Sequence, residues 1–128
     1  MKTLKRLLGD IGERSAAKYL RKNKCRVLHK NYTIGKLEVD IIAENRECLV
    51  FVEVKTRTYS EDNEARFGSP KMAVDRKKQS NLLAAAAAYI LRFPTEKQIR
   101  FDVIEVYTSS DKGGRVLSLH HIPDAFRR

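Results

Sequence analysis

The chain is poor in cysteine, with Cys25 and Cys48 its only two among 128 residues. They share no C-x-x-C spacing and both sit in apolar runs. A disulfide scaffold is therefore excluded, and two reduced core thiols are expected. Histidine is scarce too, with three residues. His29 stands alone, and the adjacent His120 and His121 would point to opposite faces of a strand, so they cannot chelate one ion. Six glycines and three prolines rule out a collagen-like chain. Long hydrophobic runs are missing too. The longest, Leu82 to Leu91, is too short to span a bilayer. The opening Met1-Lys2-Thr3-Leu4-Lys5-Arg6 lacks the apolar stretch of a secretory signal. The expectation is a soluble cytoplasmic protein with no membrane partner. Without internal repeats or a linker, residues 1–128 read as a single domain.

Acidic residues are in deficit, 16 against 26 Lys and Arg, which leaves a net charge of +10. Such a balance favours a polyanionic partner, nucleic acid ahead of a membrane surface. The excess is local. Residues 1–30 hold ten basic side chains against Asp10 and Glu13, a net +8. Arg14, Lys18, Arg21 and Lys22 fall in this region and are candidate phosphate contacts; the alternative is a solvated helix face.

Apolar spacing predicts a helix over residues 4–23, with Leu4, Leu7, Leu8, Ile11, Ala16, Ala17 and Leu20 on its stripe. Gly9 and Gly12 are expected to loosen its first turns. Strands are predicted over 25–32, 37–43 and 48–56, with turns at Gly35 and at Glu44 to Glu47. A polar loop should run from Arg57 to Gly68. A second helix should start at Ser69 as N-cap with Pro70 behind it, and stop before Pro94. Strands over about 100–107 and 115–122 follow, joined by a turn from Asp111 to Gly114. The order α-β-β-β-α-β-β implies a three-layer α/β or α+β domain with helices flanking the sheet.

The third strand carries the chemical signal. Leu49 to Val54 is almost wholly apolar, as in a strand covered on both faces. Glu53 and Lys55 are set at its end, two apart and so on one face. Asp40 interrupts a similar run, Val39-Asp40-Ile41-Ile42. If the two strands pair as a hairpin, Asp40 and Glu53 can meet. Two carboxylates, with the Val54 backbone carbonyl, offer hard oxygens suited to Mg²⁺ or Mn²⁺. Lys55 beside them could orient or deprotonate a water and offset phosphate charge. That set fits phosphodiester hydrolysis. The alternative is a structural acid–lysine pair at a sheet end.

Asp40 followed thirteen positions later by Glu53-Val54-Lys55 resembles the PD-(D/E)XK motif of restriction-endonuclease-like nucleases, with Val39 in place of the proline. The resemblance implies a restriction-endonuclease-like three-layer core with a mixed central sheet. Glu13, in Gly12-Glu13-Arg14, is similar to the helix glutamate of archaeal Holliday-junction resolvases, which implies a metal contact, direct or through water. More specifically, Gly12-Glu13, Asn31-Tyr32, Gly35, Glu38-Val39-Asp40, Phe51 to Lys55, Arg57, Lys77 and Arg100 to Val103 resemble the bacterial YraN-like family, small proteins with a predicted endonuclease-like fold.

Catalytic candidates are thus Asp40, Glu53, Lys55 and Glu13, with Asp40, Glu53, Val54 and Glu13 as metal ligands. Arg57 and Lys77 join Arg14, Lys18, Arg21 and Lys22 as nucleic-acid contacts, and DNA is expected ahead of RNA. Glu38 is an alternative ligand or a rim residue, Arg76 and Lys78 are weaker phosphate contacts, and Gln79 is a remote site candidate. Tyr59 and Phe67 would bracket a polar loop that either covers substrate or stays mobile, and Asp102 is expected to be structural. The run Ala84 to Ala88 permits close packing on the sheet, or against a second copy in a resolvase-like homodimer. The rival to a nuclease is a nucleic-acid-binding module that keeps the fold without turnover.

Overall fold

A computed structural model of the protein describes residues 3–59, 75–109 and 114–127. Helix α1 (Leu4–Lys22) leads into strands β1 (Arg26–Ile34), β2 (Leu37–Glu44) and β3 (Cys48–Thr58). Helix α2 (Arg76–Arg92) and strands β4 (Gln98–Thr108) and β5 (Val116–Ile122) follow. The strands lie in chain order, β1-β2-β3-β4-β5. All neighbours are antiparallel except β3 and β4, which run parallel. A parallel pair needs a crossover, and α2 lies on it. The architecture is the expected mixed α/β sheet in three layers.

Local chemistry accounts for the boundaries. Thr3 caps α1, its Oγ1 accepting the Arg6 N–H at 3.1 Å. Gly9 and Gly12 do not loosen the helix, which is continuous, because Gly12, Ala16, Ala17 and Leu20 form its buried stripe. Tertiary packing outweighs the propensity cost of two glycines. The first hairpin turns at Gly35, whose φ of +58° suits the position only glycine fills cheaply. The second is closed by Asn45, whose Oδ1 accepts the N–H groups of Glu47 at 2.9 Å and Cys48 at 2.7 Å. A helix start at Ser69 and Pro70 falls outside the described residues. The described α2 is capped by Asp75, in extended backbone, through the Lys78 N–H at 2.8 Å.

The two faces of the sheet bury separate cores. On one, Ala16, Ala17 and Leu20 of α1 pack on Ile41, Val50, Val52, Ile104 and Val106. On the other, Leu82, Ala85, Ala86 and Tyr89 of α2 pack on Val39, Ile42, Leu49, Phe51 and Phe101. Strand β3 faces both, which explains its unbroken apolar run. Ala84 and Ala87 are left exposed while Ala85 and Ala86 face the sheet, with Ala88 half-buried between the two sides.

Asp102, fully buried, ties the far end of the sheet together. Arg100 binds it through two nitrogens at 2.8 and 2.9 Å, His121 Nε2 lies at 2.7 Å, and the Asp124 N–H donates at 2.9 Å. Burial pushes its pKa up, but these bonds from His121, Arg100 and Asp124 outweigh it and hold the carboxyl below its ordinary range. The expected structural role fits this set of partners.

Candidate active site at the split between two strands

The β2–β3 ladder runs from Glu44 opposite Leu49 to Ile41 opposite Val52, and ends there. Strand β3 continues alongside β4 as far as Thr58 opposite Thr108. One further step of the β2–β3 register would set Asp40 against Glu53. At that point the Val54 N–H donates to Asp40 Oδ2 at 2.8 Å, so a side chain takes the place of a strand partner. The N–H and C=O of one strand residue leave on the same side, so the Val54 carbonyl faces the same gap.

A local break in β2 aims Asp40 into that gap. Period-two alternation would put Val39 and Ile41 on one face, yet Val39 packs on the α2 side and Ile41 on the α1 side. Across from Asp40 on β1 lies Asn31, between the Lys30–Ile41 and Tyr32–Val39 pairs, with a left-handed φ of +51°. A strand irregularity of this kind re-aims one side chain, as bulges do.

Beyond the split, Glu53, Lys55 and Arg57 follow Leu49 and Phe51 onto the α2 face. Glu53 is 5% exposed and paired with Lys78 of α2, Nζ to Oε1 at 3.5 Å. Arg57 reaches across to the fully buried Glu105 of β4, Nε to Oε2 at 3.3 Å.

Glu13 enters from the other layer. A Cβ on Gly12 would stand 1.9 Å from Thr56 Oγ1 and 3.0 Å from Thr56 Cβ. The missing side chain is what lets α1 lie against the end of β3 and bring the next residue to the cleft. Turning the Thr56 hydroxyl away would leave the Cβ clash in place. Gly12→Ala is therefore expected to destabilise the fold by about 1–3 kcal/mol despite alanine's better helix propensity. Urea unfolding checks this; a midpoint at or above that of the wild type would show that the close approach is not needed.

Charge crowding follows from this geometry. The Asp40 carboxyl is pushed up to about 7, first by burial, then by the Glu53 charge and a hydrogen bond shared with it. The Val54 N–H and the Lys78 charge pull the other way. Glu13 is also raised, by burial and then by Asp40, against the hydrogen bond from Asn31 and the charge of Arg6.

A cleft of about 590 Å³ gathers Glu13, Asp40, Glu53, Val54, Lys55 and Arg57. Asp40, Glu53 and Lys55, singled out by spacing, and Glu13, implied by the resemblance, thus share one cavity. Others lie elsewhere. Lys77 is exposed and does not line the cleft; Lys78, one residue on and about 100° around the helix, does. Glu38 and Tyr59 are exposed, and neither they nor Gln79 line it. Phe67 lies outside the described residues. Arg14, Lys18, Arg21 and Lys22 form an exposed stripe on α1 outside the cavity, whereas Lys5 and Arg6 line it. Among the described residues no three His, Cys, Asp or Glu side chains are grouped closely enough to hold a metal ion. Glu13 is hydrogen-bonded to Asn31. Sequence reading missed Asn31 as the partner of Glu13 and Glu105 as the partner of Arg57. An asparagine in a strand run and an acid in an apolar one were the available signals. A larger cavity of about 830 Å³ lies between α2 and the start of β4, and its lining, which includes Leu83, Ile90, Phe101 and Phe126, is mainly apolar.

No helix among the described residues is long and apolar enough to cross a membrane. One solved structure that the chain resembles is that of Pyrococcus furiosus SfsA in complex with Ca²⁺, at 17% identity and a TM-score of 0.33. The match covers 93% of this chain and 62% of that one. Sequence relatives are much nearer. A UPF0102 protein of Caldanaerobacter subterraneus is 40% identical over 98% of both chains. Another, of Chlorobium phaeobacteroides, is 39% identical over 93% of both. A third, of Dictyoglomus thermophilum, is 38% identical over 93% of this chain and 96% of its own. The model of the uncharacterised protein family UPF0102 matches residues 12–106. The chain belongs to that family.

Proposed function

We propose that the protein is a metal-dependent endonuclease of the PD-(D/E)XK type, hydrolysing phosphodiester bonds in DNA, with structured or branched DNA as the preferred class. One observation carries the reading. Asp40, half-buried, and Glu53, buried, lie side by side where two strands part, with the Val54 backbone in the same gap and Lys55 next along the strand. Packing alone gives no reason to hold two acids together at such an electrostatic cost.

The donor set fits a hard cation. The carboxylates of Asp40 and Glu53 and the Val54 carbonyl would hold Mg²⁺ or Mn²⁺, with Glu13 acting through water. When bound, the ion would supply charge neutralisation at the scissile phosphate and a more acidic water. Lys55 aligns that water and takes up or steers its proton. Arg57, fixed by Glu105, holds a non-bridging phosphate oxygen. Lys5, Arg6 and the exposed α1 stripe of Arg14, Lys18, Arg21 and Lys22 track the backbone, which sets affinity but carries no sequence information.

Calorimetry with Mn²⁺ tests the site. The wild type should bind, and Asp40→Ala and Glu53→Ala should each lose binding while staying folded. Unchanged affinity in both would remove the metal site. Cutting of duplex, junction, flap and single-stranded DNA in Mg²⁺ and Mn²⁺ tests the activity. Salt-sensitive binding with no cleavage of any of them would leave a non-catalytic binding module.

A further inference from the structure

We infer that Lys78 is a built-in competitor for the divalent cation, and that binding of the ion transfers its ammonium from Glu53 to the substrate phosphate. The inference rests on the metal-dependent reading above and adds a residue that the motif does not contain.

Lys78 sits in the first turn of α2, where its own N–H is held by the Asp75 cap at 2.8 Å. Its backbone is therefore anchored, and only the side chain is free to move. That side chain is 47% exposed, yet its Nζ lies 3.5 Å from Oε1 of the nearly buried Glu53. Its charge is felt at Asp40 as well. A single ammonium thus faces both carboxylates proposed to receive the ion. A divalent cation on the same oxygens would sit within a few ångströms of it, and two cations at that range in a partly buried site repel strongly. The lysine stem is flexible and half in solvent, so it can swing away without disturbing the core. It does not have to leave the cleft. Lys5, Arg6 and Arg57 line the same cavity, and a displaced ammonium joins them as a bed for phosphate. Metal loading and phosphate binding are then coupled through one side chain.

Mn²⁺ titration of the wild type and Lys78→Met tests this without reference to turnover. Lys78→Met should bind Mn²⁺ about tenfold tighter or more, since a competing charge is removed. Lys78→Gln should shift in the same direction, and Lys77→Met, on the outward face, should not shift. DNA affinity in Ca²⁺ should fall several-fold in Lys78→Met. Mn²⁺ affinity that is equal or weaker in both Lys78 variants overturns the inference, and DNA affinity that is unchanged overturns its second half. Asp40→Asn in each background separates the two readings. If Mn²⁺ binding depends on Asp40 but not on Lys78, the metal site stands and the competitor falls. If neither background binds Mn²⁺, or both do so independently of Asp40, the metal site falls and takes the competitor with it.

Discussion

Lys55→Ala is expected to bind DNA nearly as well as the wild type and to cut it about 10²–10⁴ times more slowly. Lys55 lies on β3 beyond the end of the β2–β3 ladder, two residues after Glu53 and in the same cleft as Asp40. Its ammonium serves the water, whereas Lys5, Arg6, Arg57 and Lys78 of the same cleft face the phosphate, so its loss should remove little of the phosphate attraction. Its place next to the carboxylate pair is what the chemistry needs. The α1 stripe should behave in the opposite way. Charge reversal at Lys18, Arg21 and Lys22 should weaken binding and flatten its salt dependence, because each phosphate contact contributes to that slope. Cutting should then fall only as far as occupancy does. Binding is to be measured in Ca²⁺ across a salt series, and cleavage in Mg²⁺ under single turnover. A Lys55→Ala protein that cuts at the wild-type rate removes that residue from the chemistry.

The metal-free protein should lose stability as pH rises from 5 to 8, and Asp40→Asn should abolish most of that loss. The Asp40 carboxyl titrates near 7 in the folded chain, against an ordinary 3.8. Between those values the folded state holds a proton that the unfolded state releases. The stabilising contribution is complete below the unfolded value and disappears as pH climbs through the folded one. Between pH 5 and 8 only the part of the shift above pH 5 is lost, which comes to roughly 3 kcal/mol. Glu13, also raised, adds in the same direction. Asp102 is shifted down and acts below this window, where acid removes its contribution. Asparagine keeps the shape and still accepts the Val54 N–H, but carries no charge for Glu53 to oppose. Urea unfolding at the two pH values in chelator gives the comparison. A wild type as stable at pH 8 as at pH 5, or an Asp40→Asn variant with the same decline, would show that the two acids are not crowded. Adding Mn²⁺ at pH 8 should restore the wild type and leave Asp40→Asn unchanged.

Much of this molecule is legible in its sequence, for local reasons. The element order follows from apolar periodicity and turn residues, and the central place of β3 follows from a run with no polar face from Leu49 to Val52. Asp40, Glu53 and Lys55 stand out because charges inside such runs are costly unless something compensates them. Where local rules misled, packing was the cause. Gly9 and Gly12 were expected to loosen α1, but Gly12 is where the helix meets Thr56, and a close approach can outweigh a propensity term. On the second helix Lys78, and neither Arg76 nor Lys77, lines the cleft, and a run of adjacent bases does not show which one a helix will turn toward the sheet.

Composition, periodicity and spacing by themselves determined the layered α/β class, the basic surface and the pair of strands on which a carboxylate site could form. Each of those depends on neighbours in the chain or on totals over it. The tertiary structure alone decided how the site is assembled. The β2–β3 ladder stops after Ile41 and Val52, Asn31 takes a left-handed turn across from Asp40, Glu105 of β4 fixes Arg57, and Lys78 reaches Glu53 from the facing helix α2. These contacts join residues far apart in sequence. Register, layer spacing and the point where two strands part are set by the balance of packing over the whole sheet, which no short window of residues contains.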